Sequence, residues 1–327
     1  MTPSPLRRLL YLGLLLCACS GFALDPGDKA PPFVNLDLSR QHVLSKNYLE
    51  KGWVILDFFA TDCEDGCDCK GHPRAGLVKR AAWLRTLKQP EQILLVDAGD
   101  LLDPYPDRDL ATAIFDTYLE LGYTAIALGD QELANGVESL LEYRERYPLM
   151  AHNLKLCPDE NRCIFFSTTP QIVERAGVRI GVFALIDPRV FILYPPELKN
   201  KLKIQDPQAA ARNQLLYLTE QGVDITLILY HGPYQGAKDL AQSVAGVDVL
   251  ILAHEQRLIE SHLVGDTILT SPGEDGNRLG ILTLRLNAVG NLDHDNRFRL
   301  FSWQDDPDDP AVRRRIDEYK QRLRERL

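Results

Sequence analysis

The sequence predicts an α/β protein, with mixed, largely parallel sheets sandwiched by helices. Three observations carry this. Short aliphatic runs recur: ILLVD (93–97), YTAIAL (123–128), DITLILY (224–230) and VDVLIL (247–252). Each is too short for a helix and apolar on both faces, as in a strand covered on both sides. Amphipathic stretches of helical length stand between them, and alternating strand and helix calls for parallel pairing through crossovers. The runs also end in polar groups: Asp97-Ala98-Gly99-Asp100, Gly129-Asp130-Gln131-Glu132, His231-Gly232 and Ala253-His254-Glu255-Gln256. Ligands of open α/β sheets bind beyond the carboxyl ends of strands.

Composition sets the frame. The 327 residues are 45% hydrophobic and 25% charged, ordinary for a globular chain. A formal charge of −9 with no basic block excludes nucleic acid as the expected partner. Residues 1–23 read as a signal peptide, with Arg7-Arg8 ahead of the apolar Leu9–Leu16. Two processing sites compete. Leu16-Cys17-Ala18-Cys19 resembles a bacterial lipobox with Cys19 as the lipidated residue, whereas Gly21-Phe22-Ala23 fits ordinary cleavage. Either way the expected location is outside the cytoplasm, in the periplasm or lipid-anchored to the cell envelope. Membrane contact would come only through that anchor.

Taken in order, residues 24–52 form an N-terminal extension with Pro31-Pro32 and a hairpin over Phe33–Leu38 and Val43–Leu44. Trp53–Ala60 is a strand that delivers Asp62 and Cys63. GDKAPPF, the hairpin and VILDFFAT running into a cysteine resemble the start of TlpA-type and peroxiredoxin-like redoxins. The spacing departs from them, since Cys63-x3-Cys67 stands where those proteins carry C-x-x-C. Cys63, Glu64, Asp65, Cys67, Asp68, Cys69 and His72 then crowd one loop. An exported loop of this kind suits one disulfide and a spare thiol, a thiol redox site, or a thiolate/imidazole metal site. Helices follow at Ala75–Leu87, Leu110–Leu121 (stopped by Gly122) and Val137–Tyr147. Leu149–Ala151 leads to His152-Asn153. Cys157-x5-Cys163 reads as a disulfide-closed turn. Ile172–Glu174 and Arg179–Leu185 fit a hairpin, and Pro188–Pro207 a polar excursion. Helices at Ala209–Gln221 and Lys238–Val244 flank the third aliphatic run. Thr267–Leu269 and Leu279–Leu286 read as an antiparallel edge, and Ala311–Leu327 as a charged, solvated helix.

Asp and His groups recurring at strand ends suit Zn, Mn or Fe, and a shared carboxylate can bridge two ions. These segments resemble the calcineurin-like metallophosphoesterases, in the branch of periplasmic 5′-nucleotidases. VDAGDLL resembles the family's strand with its GD motif, and LGYTAIALGDQELANG resembles LGYDAVALGNHEFDYG. AGVRIGVFALIDP resembles the strand that follows. DITLILYHG and VAGVDVLILAHEQ resemble the segments ending in SH and GHSH. The likeness spans roughly residues 54–290. It implies a four-layer αββα domain over 53–303, followed by the charged helix 304–327, without the family's nucleotide-binding domain.

The resemblance also implies roles. Asp100 would be the bridging ligand. Asp130 stands in place of the family Asn, and His231 and His254 match the other ligands of one metal. The second metal would rest on Asp62, with Glu64 in place of a His and Gln256 in place of the last His of GHSH. Gln131 replaces the His that assists the phosphoryl transition state, and an amide cannot be protonated to do so. The expected cofactor is one or two divalent ions, and the expected ligand a small phosphorylated molecule. Three functions follow: an exported metal-dependent phosphoesterase with an altered site, a thiol redox protein using Cys63, Cys67 and Cys69, or a non-catalytic envelope binding module.

Overall fold

The structure is a computed structural model that describes residues 53–58, 67–69, 72–74, 76–87, 90–159, 162–255, 257–273, 278–286 and 292–326. The segments expected to be a signal peptide and a redoxin-like hairpin, with Cys19, Asp62, Cys63, Glu64 and Gln256, lie outside the described residues, as do the side chains of Cys67 and Cys69.

The aliphatic runs form strands. β1 (Trp53–Phe58) precedes a short ribbon, β2 (Cys67–Cys69) and β3 (His72–Arg74), and then α1 (Gly76–Leu84). β4 (Ile93–Asp97) has all five residues buried. α2 (Arg108–Leu121) starts at Asp107, whose carboxylate accepts from the amides of Asp109 and Leu110. It stops at Gly122, whose φ of 86° is the left-handed turn that ends many helices. β5 (Ala125–Ala127), α3 (Gly136–Arg146), β6 (Leu149–Met150), β7 (Leu154–Asp159) and β8 (Arg162–Phe165) follow. The next hairpin is β9 (Gln171–Arg175) with β10 (Val178–Ile186). The Pro-rich excursion holds a 3-10 turn (Pro188–Phe191), α4 (Pro196–Lys199) and β11 (Leu202–Ile204). Then come α5 (Pro207–Glu220), β12 (Ile225–Gly232), α6 (Tyr234–Ser243) and β13 (Val249–His254). The chain continues with β14 (Leu258–Val264), β15 (Thr267–Pro272), β16 (Arg278–Leu286), β17 (Leu292–Leu300) and α7 (Pro310–Arg326).

Two six-stranded sheets result, in the orders β17-β16-β1-β4-β5-β6 and β14-β15-β13-β12-β10-β9. Within the first, β1, β4, β5 and β6 are parallel. Within the second, β10, β12, β13 and β15 are parallel. Strand alternation sorts the core into layers. Leu94 and Val96 of β4 pack with Val182, Leu227 and Ile251 of the other sheet. Ile93 and Leu95 face α1 and α2 through Leu77, Val78 and Ile114. Phe183, Ile228 and Leu250 face α5 and α6 through Ala211, Leu218 and Leu240. The order is therefore helix, sheet, sheet, helix, the four-layer αββα arrangement that the resemblance implies.

The structure corrects some boundaries and one placement. β15 and β16 do have antiparallel neighbours, β14 for the first and β1 and β17 for the second, but neither is an edge strand. β15 runs parallel to β13, and β16 lies inside its sheet between β1 and β17. β14 and β17 cover them. β17 is polar along much of its length, and β14 has Glu260, Ser261 and His262 between its two apolar pairs, so neither carries the continuous apolar run by which the covered strands are found in the sequence. α7 is not wholly solvated: Val312 and Ile316 are buried against the first helix layer. Cys157 and Cys163 are bonded, S–S 2.08 Å, across the β7–β8 hairpin. Among the described residues no helix is long and apolar enough to cross a membrane.

Candidate metal centre

Parallel pairing aligns the carboxyl ends of strands from both sheets. His231 is opposite Ile186 in the β10–β12 register, and His254 is opposite Gly232 in the β12–β13 register. From the first sheet, β4 ends at Asp97 and the chain turns through Ala98 and Gly99 to Asp100. β5 ends at Ala127 and continues to Asp130. The result is one cluster. Asp100, Asp130, His231 and His254 offer ligand atoms that all lie within 4.8 Å of one another, a group that could hold a metal ion.

The turn carrying Asp100 is built by close packing. A Cβ on Gly129 would stand 2.5 Å from the Asp100 amide nitrogen and 2.8 Å from His231 Cε1, so only glycine fits. Gly99 has φ 99° and Asp100 itself φ 61°, while His254 has φ 97°. A non-glycine residue held at positive φ costs about 1–3 kcal/mol and persists only where surrounding contacts impose it. Here the contacts are visible. The Glu132 carboxylate is wholly buried and accepts four backbone N–H groups, from Gly129 (2.7 Å), Asp100 (3.1 Å), Leu101 (2.6 Å) and Leu102 (3.3 Å). Burial, then the Asp100 charge, pushes this acid up to about 7, and the backbone donors and His231 oppose the rise. On the other side of the turn, Asp97 accepts from the Gly99 amide (2.9 Å) and the Tyr118 hydroxyl (3.1 Å). Its burial raises its pKa well above the usual carboxylate range.

The four side chains converge closely. His231 Nε2 lies 3.1 Å from Asp130 Oδ1 and 3.3 Å from Asp100 Oδ1. His254 Nδ1 lies 3.1 Å from Asp130 Oδ1 and 3.9 Å from Asp100 Oδ2. Nitrogen and oxygen ligands about 2.1 Å from a tetrahedral ion stand about 3.4 Å apart. The four spacings, 3.1–3.9 Å, bracket that value, and the donor types suit a small divalent ion. The tautomer fits as well. His231 Nδ1 is 2.9 Å from the Ala98 carbonyl, to which it can only donate, and Nε2 faces the carboxylates. Electrostatics ask for a cation in the same place. Burial disfavours a charged His231, yet Asp100 and Asp130 outweigh it and raise its pKa well above the usual value. For Asp130 burial is likewise outweighed, by hydrogen bonds from His231 and His254, and its carboxyl falls well below the usual range.

Gln131 joins this cluster. Its amide N–H donates to Asp100 Oδ1 (3.1 Å), and its side-chain Nε2 reaches Asp100 Oδ2 (3.5 Å). Its Oε1 is buried with no hydrogen-bond partner among the described residues. Two residues of the site escape sequence reasoning. Glu132 carries a signal in hindsight, an acid in the GDQE stretch beside an aliphatic pair. Tyr194 carries none: its hydroxyl donates to Asp130 Oδ2 at 2.9 Å across 64 residues of sequence, from a segment that reads as a polar loop. Asp62, Glu64 and Gln256, the second half of the expected ligand set, lie outside the described residues.

Comparison with known proteins points in the same direction. No protein-family model matches the chain. The 5′-nucleotidase of Diplobatis ommata is 27% identical over 207 residues, covering 60% of this chain and 35% of that protein. The solved 5′-nucleotidase precursor of Thermus thermophilus superposes with a TM-score of 0.69 at 21% identity, covering 83% of this chain and 59% of that one. The calcineurin-like phosphoesterase YfkN of Bacillus subtilis superposes with a TM-score of 0.62 at 22% identity, covering 83% and 97%. The chain spans about a third of the length of the first curated relatives it matches. These comparisons lend no support to a cysteine-based redox function. In sequence the chain is similar to proteins named 5′-nucleotidase, and its fold is that of the solved 5′-nucleotidase precursor and of the calcineurin-like phosphoesterase.

Proposed function

We propose that this chain is an exported, metal-dependent phosphoester hydrolase whose substrate is a small phosphorylated molecule of the nucleotide class. One observation carries the reading. Two carboxylates and two imidazoles from two sheets converge so that their ligand atoms all lie within 4.8 Å of one another, with the tautomer of His231 set by the Ala98 carbonyl. Asp100, Asp130, His231 and His254 would hold one ion, of Zn, Mn or Fe. Asp62, Glu64 and Gln256 are the candidates for a second. A divalent ion there would act as a Lewis acid that neutralises phosphoryl charge. The protein's own contribution is placement. Glu132 fixes the Asp100 turn through four amides, and Gln131 leaves an unpartnered acceptor beside it for a substrate hydroxyl or a water. The nucleotide class is supported by relatives named 5′-nucleotidase. Export is supported by the pattern of residues 1–23 and by likeness to a protein described as a precursor. The domain over 53–303 is supported by sheets whose strands run from Trp53 to Leu300.

The test is metal analysis and hydrolysis on one sample. Purified protein loaded with Zn, Mn or Fe should release phosphate from nucleotides or model aryl phosphates. Asp100→Ala and His231→Ala should lose at least about 100-fold of that activity, and chelation should do the same. Folded, metal-loaded protein that is inert on all of these would leave the non-catalytic binding module in its place. Gln131, which cannot donate as an acid, is the observation that favours that second reading.

A further inference from the structure

We propose that Tyr194 is a positioning residue for the metal centre, which holds Asp130 to a single free oxygen and so sets which ion the centre prefers. The inference rests on the metal reading above and concerns the division of labour between the two oxygens of Asp130. Oδ1 faces His231 Nε2 and His254 Nδ1, both at 3.1 Å. Oδ2 accepts the Tyr194 hydroxyl at 2.9 Å. A carboxylate binds a metal through one oxygen or through both, and a phenol held on one of them favours the first mode.

The placement of Tyr194 is built. Residues 192–194 read Ile, Leu, Tyr, and by hydrophobicity alone the first two belong inside. The structure does the reverse: Ile192 is 72% exposed and Leu193 93%, while Tyr194 is partly buried against the first helix layer. Its ring meets Phe191 edge-on at 5.4 Å, and its amide donates to the Phe191 carbonyl at 3.0 Å. An aromatic body with a polar tip fits a site that is apolar at one end and anionic at the other. The segment that carries it is tied on both sides. The Asp187 amide donates to the His231 carbonyl (2.8 Å), and the Asp187 carboxylate takes both Nε of Arg189 (2.9 Å) and the Tyr230 hydroxyl (2.5 Å). Beyond Tyr194, the Lys201 carbonyl accepts from the Cys157 amide (2.7 Å), and the Gln205 amide donates to the Asn153 carbonyl (2.8 Å). Tyr194 is thus delivered to Asp130 by a fixed excursion, one end of which is bonded to the strand that bears His231.

The consequence is a selectivity. Zinc takes four ligands in a tetrahedron, while manganese, like magnesium and calcium, accepts more oxygens and chelating carboxylates. Without the phenol, Asp130 is free to turn and chelate. The experiment is titration of the metal-free, full mature chain with zinc chloride and, separately, manganese chloride, read calorimetrically or by competition with a chelating dye. For Tyr194→Phe the zinc affinity should fall about 10- to 100-fold, the usual effect of losing a group that orients a metal ligand. The manganese affinity should hold or tighten, so the zinc-to-manganese preference drops by about the same factor. Leu193→Ser, on the same excursion but pointing to solvent, should leave both affinities unchanged. Identical affinities in Tyr194→Phe and wild type overturn the inference. So does an equal loss for both ions, because that marks a purely structural role. A melting temperature of the metal-free variant separates unfolding from the effect sought. Wild-type protein that binds neither ion overturns the metal reading itself, and this inference with it. Wild type that binds while Tyr194→Phe binds equally well overturns the inference alone.

Discussion

Glu132 offers the sharpest single test of how the site is held. Its carboxylate is wholly buried and spends both oxygens on backbone donors: Oε1 on Leu101 and Leu102, Oε2 on Gly129 and Asp100. Glu132→Gln keeps the shape and one oxygen but turns the other into an NH2 facing two N–H groups. Whichever way the amide sits, two buried donors lose their acceptor. Each costs about 1–3 kcal/mol, or roughly 2–6 kcal/mol together. The glutamine also removes a charge whose burial is unfavourable, as the rise of its pKa to about 7 records. The expectation therefore sits at the low end, about 2 kcal/mol. Against a typical total of about 5–15 kcal/mol this is large and measurable. The assay is urea unfolding of metal-free protein at pH 7, comparing midpoints at equal slope. A second readout is zinc affinity, which should weaken because Asp100 sits in the left-handed region only while the turn is held. A Glu132→Gln variant within about 0.5 kcal/mol of wild type, with unchanged zinc affinity, would refute the claim that this carboxylate organises the turn.

Three further outcomes follow from named contacts. Gly129→Ala should lose zinc binding and about 1–3 kcal/mol of stability, because its Cβ would fall 2.5 Å from the Asp100 nitrogen and 2.8 Å from His231 Cε1; isothermal titration and urea melts check both. Replacing Cys157 and Cys163 together by Ser should lower stability by about 2 kcal/mol, the chain-entropy value for so small a loop, while leaving zinc affinity in place. Asp97 has a folded pKa raised by burial, so its contribution is full below the unfolded value and is lost as pH rises through the folded value. Urea midpoints of Asp97→Asn should therefore fall less than those of wild type between pH 4 and pH 8, and a steeper fall would contradict the assignment.

The elements were legible where burial made the chain apolar on both faces. β4, β12 and β13 lie in the middle of covered sheets, so their sequences are almost continuous aliphatic runs, and their carboxyl ends could be named from the residues alone. β14 and β17 lie at sheet edges and carry Glu260, His262, Asp293 and Arg297, a polar content that no run of apolar residues announces. The edge reading of β15 and β16 failed for the same reason, since the strands that cover them were invisible.

The site divides along the same line. Asp100, Asp130, His231 and His254 each stand at or just past the carboxyl end of a strand that the sequence declares, and parallel strands must put their ends on one side of a sheet. Their residue types and their place in the chain were therefore set by sequence. Tertiary structure decided the rest. It stacked one sheet on the other so that Asp100 and Asp130 from the first meet His231 and His254 from the second. It turned Glu132 back onto four amides, and it brought Tyr194 to Asp130 across 64 residues. Periodicity reports which faces are buried, and local chemistry reports where a strand ends. Neither reports which strand end faces which, because that depends on the packing of two sheets and the closure of a Pro-rich excursion, contacts that exist only once the chain is folded.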